Sequence, residues 1–242
     1  MVFQRNDPGS SLFAVALGGV AVEVAGDPVP IGAGSIFGEV GLISGRRRGA
    51  TIRAAEPSVA VELSRNAALR LIATVPAAGR AVTRISIERQ LLQIFGSGLM
   101  AEDVAELVAE AEVRGIRAGE VVLAEGDAGN DIHVIRRGSM IVEKVIGGKP
   151  VFLSYLPAGS YFGEMALIDG LPRSATVKAA IRSEVIRLPG EAFARLLAQK
   201  PELLRKARGD MAARREVNRF VEGRKDSFAS VVDMYSETAQ FL

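Results

Sequence analysis

Glu164 and Arg173 stand nine residues apart, in Phe162-Gly163-Glu164-Met165-Ala166-Leu167 followed by Arg173-Ser174-Ala175-Thr176. An ionised carboxylate only accepts hydrogen bonds, which suits it to a hydroxyl, whereas a guanidinium is a planar fork that matches two oxygens of an oxyanion. Small residues flank both groups, and Gly163 lets the backbone come close to whatever they hold. A short helix opening at Glu164 would aim free N–H groups, notably near Ala166, at an anion. No nucleophile, metal-ligating cluster or paired carboxylates accompany the two, and phosphodiester hydrolysis usually recruits metals held by His and Asp clusters. The expectation is therefore binding without catalysis, with no catalytic residue, metal ligand or cofactor.

The same pattern stands 125 residues earlier as Phe37-Gly38-Glu39-Val40-Gly41-Leu42 and Arg48-Gly49-Ala50-Thr51. The register extends past the motif, since Val61, Leu63, Leu71 and Pro76 fall opposite Ile186, Leu188, Leu196 and Pro201. Upstream the offset is 120, pairing Asp7-Pro8-Gly9 with Asp127-Ala128-Gly129 and Gly18 with Gly138. The difference lies between Val145 and Ser160, where Gly147-Gly148-Lys149 marks a longer hairpin tip. These are two copies of one domain.

The elements that position the motif are short. In the second copy Glu120–Ala124, Asp131–Arg136, Ser139–Val145 and Val151–Leu156 are β-prone runs between Gly-rich turns, which predicts a small antiparallel barrel or jelly roll. Ala175–Ala179 and Glu184–Leu188 add two strands after the motif. Helical spacing follows over Glu191–Gln199, and Pro201-Glu202 opens a second helix. The first copy repeats this order, with helices over Asn66–Ala73 and Ala77–Gln93. Ala101–Ala111, with Val104, Leu107, Val108 and Ala111 on one face, predicts a helix leading into the second barrel. The domains expected are 1–90, 91–222 and a helical tail or linker at 223–242. Because the leading helix has no counterpart ahead of the first copy, the chain is expected to be a piece of a longer protein.

At 242 residues and 48% hydrophobic content, two modest cores are within reach. Thirty basic against 28 acidic residues leave a formal charge of +2, which implies no polyanion-seeking field. The absence of cysteine excludes disulfides and fits a reducing compartment, so a cytoplasmic location is expected. One His and no Cys argue against structural zinc. Leu12–Val22, apolar enough to suggest a secretory core, aligns with Ile132–Val142 and reads as a duplicated strand pair. No apolar run approaches the roughly 20 residues of a membrane span, so no membrane partner is expected. His133, between Ile132 and Val134, reads as surface or core rather than as a ligand-binding or catalytic group.

The two motifs resemble the phosphate-binding cassette of the cyclic nucleotide-binding domain family, which includes the catabolite activators and protein kinase A regulatory subunits. The resemblance implies a mainly β fold: two tandem double-stranded β-helix (jelly-roll) barrels, each followed by α-helices. It implies that Glu164 accepts the ribose 2′-hydroxyl of a 3′,5′-cyclic nucleotide, that Arg173 clamps the phosphate, and that Phe162, Gly163, Met165, Ala166, Ser174 and Ala175 complete the second site. The first site would use Phe37, Gly38, Glu39, Val40, Gly41, Arg48, Gly49 and Ala50, with Arg46 and Arg47 as rival cations. Gly41 stands where an alanine is usual, and Gly49 lacks the hydroxyl of Ser174, so the first site is expected to be the weaker. Arg219, Phe220 and Tyr235 are candidates for capping the base.

The function expected from the resemblance is regulatory sensing, with cAMP favoured over cGMP and the signal passed through the C-terminal helices to an effector domain or protein beyond these residues. A homodimer through the helices is a further expected partner. The rival reading is a pair of degenerate barrels serving as an interaction or dimerisation scaffold. The basic cluster Arg205, Lys206, Arg208, Arg214, Arg215, Arg219, Arg224 and Lys225 is interrupted by Glu202, Asp210, Glu216 and Glu222, as on a solvated helix face. No nucleic-acid partner is expected.

Overall fold

The structure, a computed structural model, describes residues 1–23, 28–45, 47–96 and 98–223. Arg46 and nearly all of the tail expected at 223–242 lie outside the described residues. The chain divides into two compact units between Ala109 and Glu110. The boundary expected at residue 90 falls inside one continuous helix whose buried Leu91 and Phe95 belong to the same apolar face as Ile87.

The first unit contains β1 (Ser11–Leu17), β2 (Gly19–Glu23), β3 (Val29–Gly32), β4 (Ile36–Phe37), α1 (Glu39–Ser44), β5 (Thr51–Ala54), β6 (Val59–Ser64), α2 (Arg65–Thr74), α3 (Pro76–Phe95) and α4 (Ala101–Glu110). Its strands form two antiparallel sheets, ordered β4-β1-β6 and β3-β2-β5. Val15, Val20, Ile31, Phe37 and Ile52 fill the space they enclose. Leu12, Leu42 and Ala68 form a second cluster that joins β1, α1 and α2.

The second unit repeats the plan with β7 (Glu112–Ile116), β8 (Val121–Leu123), β9 (Ile132–Arg137), β10 (Ser139–Ile146), β11 (Lys149–Pro157), β12 (Tyr161–Phe162), α5 (Glu164–Asp169), β13 (Thr176–Ala179), β14 (Ser183–Leu188), α6 (Gly190–Gln199) and α7 (Pro201–Gly223). Its sheets run β12-β9-β14-β7 and β11-β10-β13-β8, again antiparallel. The longer hairpin tip is the turn joining β10 to β11, with Ile146 opposite Lys149. Ile116, Ile135, Met140, Phe162, Val177, Ala179 and Val185 form the core. Strand β9 shows no alternation, because Ile132 to Arg136 are all buried on a strand covered on both faces.

The fold is mainly β, with two tandem jelly-roll barrels each followed by helices. Strand β7 is absent from the sequence-level reading, and its four exposed residues explain why, since only Ile116 carries a core signal. It changes the neighbouring strand's environment. Ile186 on β14, flanked by β9 and β7, is fully buried, whereas its counterpart Val61 on the edge strand β6 is 53% exposed. Among the described residues, no helix is long and apolar enough to cross a membrane.

Candidate functional site

Each cassette is a strand, a left-handed glycine and a short helix. In the second unit the chain leaves β12 at Phe162, turns at Gly163 with φ 93° and enters α5 at Glu164. A Cβ on Gly163 would lie 2.7 Å from the Asp131 carbonyl oxygen and 2.9 Å from Arg173 Nη1, so the turn and the crowding both demand glycine. Gly38, with φ 84°, opens α1 in the same way.

The cassette arginines are pinned by backbone. Arg173 donates from Nη1 to the Gly163 carbonyl (2.8 Å) and from Nη2 to the Asp131 carbonyl (3.1 Å). Its main-chain N–H donates to the Asp127 carbonyl at 2.9 Å. The Asp131 carboxylate is held by Arg187 Nε (2.7 Å) and the Gly190 N–H (3.1 Å), which fixes the carbonyl that Arg173 uses. In the first unit Arg48 donates from Nη1 to the Gly38 carbonyl (2.9 Å) and from Nη2 to Ser11 Oγ (3.0 Å), and its N–H donates to the Asp7 carbonyl (2.8 Å). Arg48 is therefore the cation that enters the first cassette, while Arg47 turns to the Asn6 carbonyl. Burial lowers the basicity of both cassette arginines, opposed by Asp131, Glu164 and Asp127 around Arg173 and by Glu62, Glu39 and Asp7 around Arg48. A guanidinium stays charged through such a change.

The carboxylates are more deeply set than an exposed ion pair would be, since Glu39 and Glu164 are each 1% exposed. Glu164 Oε1 accepts a 2.5 Å hydrogen bond from Arg214 Nη1, and Glu39 Oε2 accepts one of 2.8 Å from Arg89 Nη1. The other oxygen of each, Glu164 Oε2 and Glu39 Oε1, is buried without a hydrogen-bond partner. Burial raises the Glu164 pKa, and the charge and hydrogen bond of Arg214 work against that rise.

Arg89 and Arg214, which bond to the cassette carboxylates, are candidate site residues that the sequence reading missed. Each lies fifty residues after its glutamate, and the two are counterparts at the 125-residue offset, so carrying the repeat register into the helices would have found them. Two members of the basic cluster on α7 turn toward the cassette instead of lying free on a solvated face. Arg214 also donates to the Tyr161 carbonyl (2.8 Å) and lies 4.9 Å from that ring's centroid, and Arg215 pairs with Asp169. The reason is that α7 packs back against α5, with Asp210 accepting from Tyr161 Oη at 2.6 Å. Arg224 and Lys225 of that cluster lie outside the described residues.

All eight residues named for the second site line one cleft, together with Leu123, Arg214 and Asn218. In the first unit the guanidinium of Arg48 is faced by Phe3, 4.3 Å from the ring centroid, and Phe13 lies further off at 5.7 Å. The repeat places Leu123 and His133 at those two positions in the second unit. His133 is buried, stacks on Phe162 at 5.2 Å between centroids, and is held neutral with its pKa lowered to about 4 by burial and then by Arg173. It is a core residue. Of the base-capping candidates, Arg219 is exposed, and the side chain of Phe220 and all of Tyr235 lie outside the described residues.

The cyclic nucleotide-binding domain family matches residues 1–75 and 113–200, one stretch in each unit. The chain belongs to that family. It is 32% identical over 206 residues to the cAMP-dependent protein kinase regulatory subunit of Eremothecium gossypii, covering 84% of this chain and 43% of that protein. The corresponding protein of Yarrowia lipolytica is 30% identical over 200 residues, with 81% and 51% covered. The chain thus spans about half the length of these relatives. The regulatory subunit of a cAMP-independent protein kinase A from Trypanosoma brucei superposes with a TM-score of 0.51 at 19% identity, covering 90% of this chain and 78% of that one, a likeness of fold.

Proposed function

We propose that both units bind a 3′,5′-cyclic nucleotide reversibly, the second more tightly than the first, and that the chain is a regulatory sensor rather than an enzyme. The observation that carries this is the pairing, within each cassette, of a buried carboxylate oxygen lacking a partner with a buried arginine. A ribose hydroxyl donating to Glu164 Oε2 or Glu39 Oε1 offsets the cost of a buried, unsatisfied acceptor, and a phosphodiester gives Arg173 or Arg48 its counter-charge. Of the two cassette cations, Arg48 carries an aromatic ring across its face, a contact worth about 0.5 to 2 kcal/mol that ties it down before any ligand arrives. That contact favours the second site. cAMP is preferred over cGMP because the relatives are named as cAMP-dependent.

Binding is read out through the helices. Arg214 and Arg89 reach from α7 and α3 to the same carboxylates that meet the ribose, so ligand affinity differs between docked and undocked helices, and ligand shifts that population. The effector lies beyond these residues, and a protein kinase catalytic subunit is the class indicated by the relatives' names.

Calorimetry with cAMP, cGMP and adenosine tests the reading. The expected result is two saturable events with cAMP, the tighter abolished by Arg173→Ala, the weaker by Arg48→Ala, and neither produced by adenosine. No saturable heat with any cyclic nucleotide leaves the scaffold as the function. Loss of the tighter event in Arg48→Ala alone reverses the ranking.

A further inference from the structure

The first cassette lacks a side chain at Gly49, where the second has Ser174. A Cβ built on Gly49 would lie 2.9 Å from Gln93 Nε2 and 3.6 Å from its Cδ and Oε1, and these are the three nearest atoms to it. The Gln93 carboxamide thus stands where a side chain at position 49 would begin. Gln93 follows Arg89 by one helical turn and shares its face of α3. At the matching places in the second unit, Ser174 and Asn218 line the cleft beside Arg173, with Asn218 one turn after Arg214. The two units divide one volume differently. The second has a hydroxyl on the cassette and a short carboxamide on the helix, whereas the first has no side chain on the cassette and a longer carboxamide on the helix.

We propose that Gln93 replaces the missing hydroxyl, its side-chain amide donating to the phosphate of a cyclic nucleotide held by Arg48. This rests on the reading of the first unit as a nucleotide site and deepens it by naming where the donor comes from. An N–H directed at an anionic oxygen is charge-assisted, as the bond of a serine hydroxyl would be, and the Gln93 carboxamide stands against Gly49, the residue next to the cassette cation. The consequence is regulatory. In the second unit the hydroxyl belongs to the cassette and meets the phosphate wherever α7 sits. In the first the donor arrives only with α3 docked, so phosphate binding and helix docking are one event there.

The substitution Gly49→Ser separates these roles, because the Gly49 backbone is not left-handed and the three atoms nearest the added Cβ all belong to Gln93. Binding of cAMP to the first site is measured by calorimetry in the full chain carrying Arg173→Ala, and by hydrogen-exchange protection of Gly38 to Leu42 with Arg173 intact. Gln93→Ala and the bulk-preserving Gln93→Leu are each expected to weaken first-site binding by about ten- to a hundredfold. Gly49→Ser alone should also weaken it, through collision with Gln93. The pair Gly49→Ser with Gln93→Ala should return to within about threefold of the parent, a coupling that independent sites do not show. First-site binding indifferent to Gln93, or a double variant no better than the singles, overturns the assignment alone. A first unit that binds no cAMP by either readout overturns the nucleotide reading of that unit and the assignment with it.

Discussion

Arg214 closes on Glu164 at 2.5 Å across fifty residues of chain, while the second oxygen of the same carboxylate stays buried without a partner. One oxygen thus meets α7, and the other is the acceptor assigned to the ribose hydroxyl in the proposed function. Burial pushes the Glu164 pKa up, and the charge and hydrogen bond of Arg214 oppose that rise, so Arg214 favours the ionised form of the carboxylate. Glu39 and Arg89 repeat the arrangement in the first unit at 2.8 Å.

Removing the helix partner should therefore act on the barrel. Arg214→Ala is expected to destabilise the second unit by about 1 to 3 kcal/mol, below the full cost of breaking a buried pair because the guanidinium is 31% exposed. Arg214→Lys keeps the charge but not both bonds, to Glu164 and to the Tyr161 carbonyl, and should fall between. Urea unfolding followed through second-unit amides measures this. A parent-like midpoint for Arg214→Ala would show that the pair contributes nothing net.

Tyr161 and Asp210 form a contact peculiar to the second unit, where burial, the Asp210 hydrogen bond and its charge all push the phenol's pKa up. At the repeat positions the first unit has Ile36 and Ile85, two apolar side chains with no hydrogen bond to offer. Tyr161→Phe removes the hydroxyl alone and should cost about 1.5 to 3 kcal/mol of α7 docking, as for a hydrogen bond to a charged acceptor. Faster amide exchange around Asp210, with β9 and β14 unchanged, is the expected outcome. Uniform acceleration through the barrel would contradict it.

His133 makes the second unit acid-sensitive. Its pKa is about 4 when folded against an ordinary 6.5, so below pH 6.5 the unfolded chain takes up a proton that the folded one refuses. Stability is lost as pH falls from about 6.5 toward 4 and the loss levels off below that, amounting to about 3 kcal/mol. His133→Phe copies Phe13 of the first unit, which stacks on Phe37 as His133 stacks on Phe162. Between pH 7 and pH 4.5 the variant should lose less stability than the parent. Equal losses would mean that the imidazole finds a solvated alternative on protonation.

Gly163→Ala tests the turn that opens the second cassette. The new methyl would press on the Asp131 carbonyl and Arg173 Nη1 at a backbone angle that L residues rarely adopt. A loss of more than about 1 kcal/mol in stability is expected, with cAMP binding weakened further because Arg173 must shift. Wild-type affinity in this variant would show that Arg173 adapts without loss.

The duplication, the mainly β barrels and both cassettes are legible in the order of residues, because each of those signals is local. A glycine, a glutamate and an arginine within a dozen residues, repeated at constant offset, fall on one loop whatever the rest of the chain does. Arg173 is legible as the second cassette's cation for the same reason, whereas Arg48 stands in a run with Arg46 and Arg47, and its hydrogen bonds to the Gly38 carbonyl and Ser11 Oγ single it out only in the structure. What meets those groups from elsewhere is settled by packing alone. Arg89, Arg214 and Gln93 lie on helices of mixed polarity, and a helix sequence states which residues share a face but not which neighbour that face will meet. Arg214 in a run of alternating charge reads as solvated until α7 packs against α5 and turns it onto Glu164. Strand β7 escapes notice on similar grounds: with four of its five residues exposed, its place in the sheet comes from the main-chain hydrogen bonds of β14, which leave no mark on side-chain pattern.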